Sequence, residues 1–215
     1  MKSVFLPFGK TIYQTDQGQS ITTDTGFVVK TVLARVAESK VSVLEIGSGN
    51  GIISIMLAHY RPRWSITGIE IQPELVELSR SNAELAEVKT KISEADLKSF
   101  TSDFHYDLIV SNPPYNPMNE GKISPNPERA ISRHEIACNM NDVLKCIKRN
   151  LKKNGQAFLL YPASRMAECE KSVKKVDLNI GRKFILPSQK QKERIMLELI
   201  CLLYTSDAAD EEDSV

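Results

Sequence analysis

The sequence predicts an α/β fold in which a mostly parallel sheet is covered by helices on both faces. Three observations carry this expectation. Short β-rich runs alternate repeatedly with helical runs from residue 41 onward. A glycine-rich turn joins the first of these runs to a buried helix. The last two β-rich runs are separated by too few residues for a crossover helix, so they must pair as an antiparallel hairpin at the sheet edge.

The opening residues mix Thr, Gln, Asp and Gly without helical period, which predicts short extended segments. Cap-type residues Thr23-Asp24-Thr25-Gly26 then start a helix that places Phe27, Val28, Thr31, Val32, Leu33 and Val36 on one face and runs to Ser39-Lys40. Val41–Ile46 is a β-rich run stopped by Gly47, and Gly51–Tyr60 reads as a buried helix. Ser65–Glu70, Lys89–Ser93 and Tyr106–Ser111 continue as strands, with a helix over Pro73–Ala86 that begins on its proline. Residues Asn116 to Pro127, rich in proline and poor in apolar side chains, form a long loop of the kind that usually carries function. A helix with Met140, Val143, Leu144, Ile147 and Leu151 on one face follows and stops at Asn154-Gly155. The expected remainder is a strand over Gln156–Tyr161, a helix over Ala163–Lys175, and strands over Arg182–Leu186 and Ile195–Leu203.

At 215 residues, with 41% hydrophobic and 26% charged side chains, the chain has the composition of one globular domain. The expected boundaries are a single domain over 1–204, with a short N-terminal segment 1–22, and an acidic tail over 205–215 that is disordered or non-native. No apolar run approaches the ~18 residues of a membrane span, and Met1–Pro7 lacks the apolar core of a secretory signal, so a cytoplasmic protein is expected. Cys138, Cys146, Cys169 and Cys201 form no C-x-x-C pair, and His59, His105 and His134 are scattered, which argues against a metal site. Five of the 27 acids lie in 207–215, so the body of the chain is basic. The excess concentrates between residues 144 and 194, where 14 Lys or Arg face four acids, a distribution that attracts a polyanion such as RNA or else marks solvated helix faces.

The turn Glu45-Ile46-Gly47-Ser48-Gly49-Asn50-Gly51 stands where an open α/β sheet binds a nucleotide-like ligand. Its glycines let backbone N–H groups approach the ligand closely. Glu45, two residues before the first glycine, would repel a pyrophosphate and orient a cationic ligand. Glu70, at the end of the second strand, is placed to accept ribose hydroxyls, and Asp96 to accept from an adenine amine. Their neighbours Ile71 and Leu97 are assigned to the same pocket. Either acid alone is as well explained as a solvated strand-end carboxylate; with the glycine turn they describe a pocket for S-adenosylmethionine.

Asn112-Pro113-Pro114-Tyr115 follows the fourth strand, at the same edge of the sheet. The prolines make the turn rigid and remove two donors, leaving the Asn112 side-chain oxygen and the Pro113 carbonyl to accept from an NH2 group while Tyr115 offers a flat face. Such an arrangement holds a weakly nucleophilic planar amine against a methyl donor and stabilises the charge that develops on it.

On these residues the chain resembles class I S-adenosylmethionine-dependent methyltransferases of the amino-methylating kind, whose signature is Asn or Asp-Pro-Pro followed by an aromatic residue. Within that group it is similar to the bacterial valine-tRNA adenine-N6 methyltransferases. Thr23-Asp24, Val43 through Gly51, Ile69-Glu70, Asp96, Ser111 through Tyr115 and Arg133-His134-Glu135 carry the resemblance. It implies a Rossmann-like class I methyltransferase fold with a seven-stranded, mostly parallel sheet whose last strand is antiparallel. It further implies S-adenosylmethionine as cofactor, an RNA substrate that is a tRNA, and methylation at N6 of the adenosine next to the anticodon. Carried over to this chain, Glu45, Gly47 and Gly49 line the methionine end, Thr23 and Asp24 close over it, Glu70 meets the ribose, and Asp96 the adenine. Asn112, Pro113 and Tyr115 carry the catalysis, with Asn112 also beside the cofactor; Arg133 and Glu135 are substrate contacts or a simple ion pair.

A glutamine-N5 methyltransferase of release factors uses the same Asn-Pro-Pro-Tyr logic, but normally carries a helical domain before the fold and a Leu-Asp and Gly-Gly signature that Ala130–Glu135 lacks. A DNA adenine methyltransferase would need a sizeable target-recognition domain. A non-catalytic scaffold of the same fold that binds RNA should show damage in one of the two turns, and both are intact.

Overall fold

The computed structural model describes residues 1–16, 23–113, 138–186 and 193–201. Strands β1 (Lys2–Phe5) and β2 (Thr11–Gln14) form an antiparallel hairpin, with Leu6 donating to and accepting across the turn. Helix α1 (Thr23–Arg35) leads into β3 (Ser42–Ile46), α2 (Ile52–Tyr60), β4 (Ser65–Glu70), α3 (Pro73–Leu85), β5 (Lys91–Glu94) and β6 (Tyr106–Ser111). The chain continues through α4 (Met140–Asn150), β7 (Leu151–Pro162), α5 (Met166–Lys175), β8 (Asn179–Leu186) and β9 (Arg194–Ile200).

The main sheet has the order β5-β4-β3-β6-β7-β9-β8. Strands β3 to β7 pair in parallel, while β9 runs antiparallel between β7 and β8. The chain begins this sheet at β3, builds outward to β5, and returns to β6 on the other side of β3. That reversal is the topological switch point where open α/β sheets hold ligands at their carboxyl ends. Its central strands are buried on both faces: Val43, Leu44, Ile46, Leu108, Ile109, Val110 and Phe158 are all inaccessible, as continuous apolar runs in a parallel sheet require.

Three predicted boundaries differ for visible reasons. The helix expected to reach Asn154-Gly155 ends at Asn150, whose buried side chain donates back to the Cys146 carbonyl and accepts from the Ser102 N–H. Residues 151–155 instead open β7 with a register shift against β6, and Asn154 takes a left-handed φ of 63°. The helix expected from Ala163 begins with a 3-10 turn at Ala163–Arg165 and becomes α-helical at Met166. Helix α1 ends at Arg35 rather than Ser39, with Val36 tucked into the core and the Glu38 carbonyl accepting from the Trp64 indole at 2.9 Å.

Among the described residues no helix is long and apolar enough to cross a membrane, and no three His, Cys, Asp or Glu side chains cluster as a metal site. The four cysteines are buried and form no disulfide; burial pushes the Cys146 thiol up to about 11 and Cys169 to about 12.

Candidate active site

The turn after β3 takes its shape from three left-handed glycines: Gly47 at φ 74°, Gly49 at 55° and Gly51 at 84°. Side chains with a Cβ rarely adopt this region, which explains glycine at each position. A Cβ on Gly51 would also stand 2.2 Å from the Ser79 hydroxyl, so α3 packs directly against the turn. At Gly47 and Gly49 a Cβ would meet nothing within 4 Å, so the space beside them is open rather than filled by protein.

The turn is held from the neighbouring strand. Gly47 and Ser48 donate their N–H groups to the Ile69 carbonyl at 2.9 and 3.0 Å, and Gly49 donates to Glu70 Oε2 at 2.9 Å. Glu70 Oε1 accepts from the Ile71 and Gln72 N–H groups at 2.9 and 3.1 Å. With two lone pairs per oxygen, Oε1 is filled and Oε2 has one position left. Glu70 therefore braces the glycine turn and has one acceptor position left; taking two ribose hydroxyls, as the sequence suggests, requires it to release a backbone N–H.

Glu45 is buried at 2% exposure and accepts, through Oε2, from the backbone N–H and the hydroxyl of Ser54 in the first turn of α2. It thus caps a helix N-terminus. Burial pushes its carboxyl up to about 8, against the pull of Ser54 and with the Glu70 charge adding to the rise. Burial thus favours the neutral carboxyl, and a cationic ligand beside it would draw out its proton.

Ile71 is 40% exposed at the carboxyl edge, an apolar side chain left uncovered beside the Glu70 carboxylate. Asp96 follows β5 and accepts from the Lys98 N–H at 2.9 Å while its carbonyl starts a turn, and Leu97 packs on the core. Register places Glu70 opposite Glu94 and Ile46 between Ile69 and Ser111, so the predicted pocket residues do share one edge. Thr23 and Asp24 open α1, where Asp24 lies 3.7 Å from Arg194 and burial raises its carboxyl pKa despite that guanidinium.

At the end of β6 the Ser111 hydroxyl donates to the Ile46 carbonyl at 3.0 Å, tying this strand end to the glycine turn across the switch point. Pro113 is buried. The side-chain oxygen of Asn112 is buried and has no hydrogen-bond partner among the described residues. Pro114, Tyr115, Arg133, His134, Glu135 and the expected loop Asn116–Pro127 lie outside those residues.

Sequence reasoning missed Ser54, Ser79 and Asn82, which hold the turn from its helices. Ser79 and Asn82 fall on the same buried face of α3 as Leu75, Val76 and Ala83, and polar residues at apolar spacing were the available signal.

The fold is that of the class I S-adenosylmethionine-dependent methyltransferases, a Rossmann-like, mostly parallel sheet flanked by helices. A family model described as the methyltransferase small domain matches residues 20–124. A methyltransferase from Pyrococcus furiosus shares the fold, with a TM-score of 0.69 at 18% identity over 92% of this chain and 91% of that one. The ribosomal protein L11 methylase of Lactobacillus delbrueckii subsp. bulgaricus gives 0.62 at 18% identity over 84% and 79%.

Among sequences, the chain is related at low identity to bacterial tRNA1(Val) (adenine(37)-N6)-methyltransferases. The protein of Pedobacter heparinus is 26% identical over 97% of this chain and 88% of its own length, and that of Aliivibrio salmonicida 27% over 80% and 74%. The release factor glutamine methyltransferase of Streptococcus pneumoniae is 39% identical, but over 43% of this chain and only 33% of its own length.

Proposed function

We propose that this chain transfers a methyl group from S-adenosylmethionine to the N6 amine of an adenosine in tRNA, the one next to the anticodon of valine tRNA. The observation that carries the reading is the buried Asn112 oxygen, which has no partner among the described residues. A buried acceptor left without a donor is costly unless a ligand supplies one. Across the switch point lies the glycine turn, whose open side at Gly47 and Gly49 suits the backbone approach of a cofactor.

The residues present fit that cofactor: a glycine turn without a phosphate-type cradle, a buried Glu45 for a cationic group, Glu70 for the ribose, and exposed Ile71 beside it for a flat base. When bound, S-adenosylmethionine supplies an electrophilic methyl. The rest of the chemistry is positional. Asn112 Oδ1 accepts one N–H of the adenine amine and the Pro113 carbonyl the other, which directs the nitrogen lone pair toward the methyl and steadies the positive charge forming there. The proton becomes acidic only after transfer, so no strong general base is required. Stacking on the base is the role assigned to Tyr115, which lies outside the described residues.

The glutamine-methylating reading rests on the higher identity to release factor enzymes, at 39% over 43% of this chain and 31% over 63% of it. One tRNA relative extends over 97% of this chain and another over 80%, and the basic stretch 144–194 suits RNA. Incubation with radiolabelled S-adenosylmethionine and either total RNA or purified release factor separates the two. Label in N6-methyladenosine of tRNA is the expected result; label in release-factor glutamine would replace the adenine reading.

A further inference from the structure

Asn82 lies in α3, is fully buried, and uses its side-chain amide three times. Its Oδ1 accepts from the Tyr13 N–H at 2.8 Å, and its Nδ2 donates to the Tyr13 carbonyl at 2.8 Å and to the Asn50 carbonyl at 2.9 Å. The first two bonds copy what a neighbouring strand would do, pairing with both backbone groups of one residue on the outer edge of β2. The third reaches into the glycine turn between Gly49 and Gly51. One helical turn earlier, Ser79 fills the space that a side chain on Gly51 would need.

The turn is therefore fixed from two directions. From β4, Ile69 and Glu70 hold Gly47, Ser48 and Gly49. From α3, Asn82 holds Asn50, and the same amide is held in turn by the N-terminal hairpin. A single side chain thus joins three segments that are distant in sequence, and an amide with both donors and its acceptor engaged has one orientation that satisfies all of them.

We propose that Asn82 is a positioning residue for cofactor binding, hanging the Asn50–Gly51 end of the glycine turn on the β1–β2 hairpin so that the turn is pre-shaped before the cofactor arrives. This rests on the methyltransferase reading for its consequence, though not for the contact itself. Asn82→Asp keeps the acceptor for the Tyr13 N–H, removes both donations and sets a carboxylate against two carbonyls. Preorganisation is what such a change removes, so cofactor affinity should fall about tenfold while the rate at saturating cofactor changes little.

The test uses the full chain in two arms, with Val173→Ala in the α5 core as a control for general destabilisation. Hydrogen exchange without ligand should quicken across Gly47–Gly51 in Asn82→Asp, and not across that turn in Val173→Ala. Calorimetric titration with S-adenosylhomocysteine should show the tenfold loss for Asn82→Asp alone. Should Asn82→Asp not fold, Asn82→Ser, smaller and neutral, is read by the same two arms. Wild-type exchange across Gly47–Gly51 in the Asn82 variant overturns the proposal, as does an affinity loss no greater than that of Val173→Ala at equal loss of Tm. A wild-type chain that binds no S-adenosylhomocysteine overturns the methyltransferase reading, while the exchange arm still decides whether Asn82 shapes the turn.

Discussion

The carboxyl ends of β3 and β4 differ from that of β6 in how their polar groups are used. At the first, the Gly47, Ser48 and Gly49 backbone N–H groups each donate to a fixed acceptor and Glu70 and Asn82 are bonded from several sides, with only the Ser48 and Ser79 hydroxyls buried and unpaired among the described residues there. At the second, the buried Asn112 oxygen has no donor among the described residues. Closed networks hold a pocket in one shape before binding. An open acceptor is matched to something that comes and goes, and its bond is worth most where charge develops during reaction. The first region should therefore govern affinity for the cofactor, and the second should govern rate.

Asn112→Ala gives the largest expected separation. Methyl transfer at saturating substrates should drop on the order of a hundredfold or more, with S-adenosylhomocysteine affinity nearly unchanged by calorimetry. Wild-type transfer by this variant would remove the acceptor role from β6. Gly47→Asp is the converse experiment. A Cβ there meets nothing within 4 Å among the described residues, so its harm comes from the left-handed backbone and from a second carboxylate near Glu45. Cofactor binding should be lost; measurable affinity would move the cofactor away from this turn.

Gly51→Ala acts through the fold instead, because its Cβ collides with Ser79 and its φ is left-handed. A loss of about 1–2 kcal/mol from the backbone conformation alone is expected in denaturant unfolding. An unchanged midpoint would mean that α3 yields to the turn rather than shaping it.

Glu45 supplies a pH-dependent form of the comparison. Its folded pKa of about 8 stands above the ordinary 4.5, so the neutral carboxyl favours the fold. Its contribution is full below about pH 4.5 and is lost as pH rises through about 8. Thermal midpoints of Glu45→Gln should thus gain on the wild type across this window, whereas parallel curves would show that Glu45 is already ionised in the fold. The smallest effect is expected on the surface. Lys171, Lys174 and Lys175 are exposed on α5, and replacing all three by Ala should weaken RNA binding and flatten its salt dependence, by up to about 0.9 in the log–log slope per lost phosphate contact with duplex. No change in slope would assign α5 to solvent and RNA contact to another face.

Much of the molecule was legible in the sequence. Ser65–Glu70 and Tyr106–Ser111 begin and end as predicted, since each is a β-rich run with a clear break at its carboxyl end. The glycine turn and the edge residues Glu70, Asp96 and Asn112 fall where the motifs put them, because the parallel register aligns every strand end in the central sheet. What escaped was long-range bonding by ordinary side chains. Asn150 ends α4 early through Phe100 and Ser102, nearly fifty residues away. Asn82 meets Tyr13 at a separation of 69 residues. Neither asparagine has a local pattern that names its partner. Glu45 was legible in position but not in state, since its protonation depends on how completely α2 covers it.

The placement of β9 bears on how the chain is made. Seven residues of β9 pair with β7 from Gln156 to Pro162, and β8, though synthesised before β9, touches the sheet only through it. As the chain emerges from a ribosome, the half of the sheet that carries the glycine turn can assemble early from consecutive segments. The edge of β7 stays bare, and β8 has nowhere to dock, until residues 194–200 arrive. That interval leaves the β9-facing edge of β7, at Phe158, Leu159 and Leu160, without a partner, the kind of template on which nascent chains associate with one another.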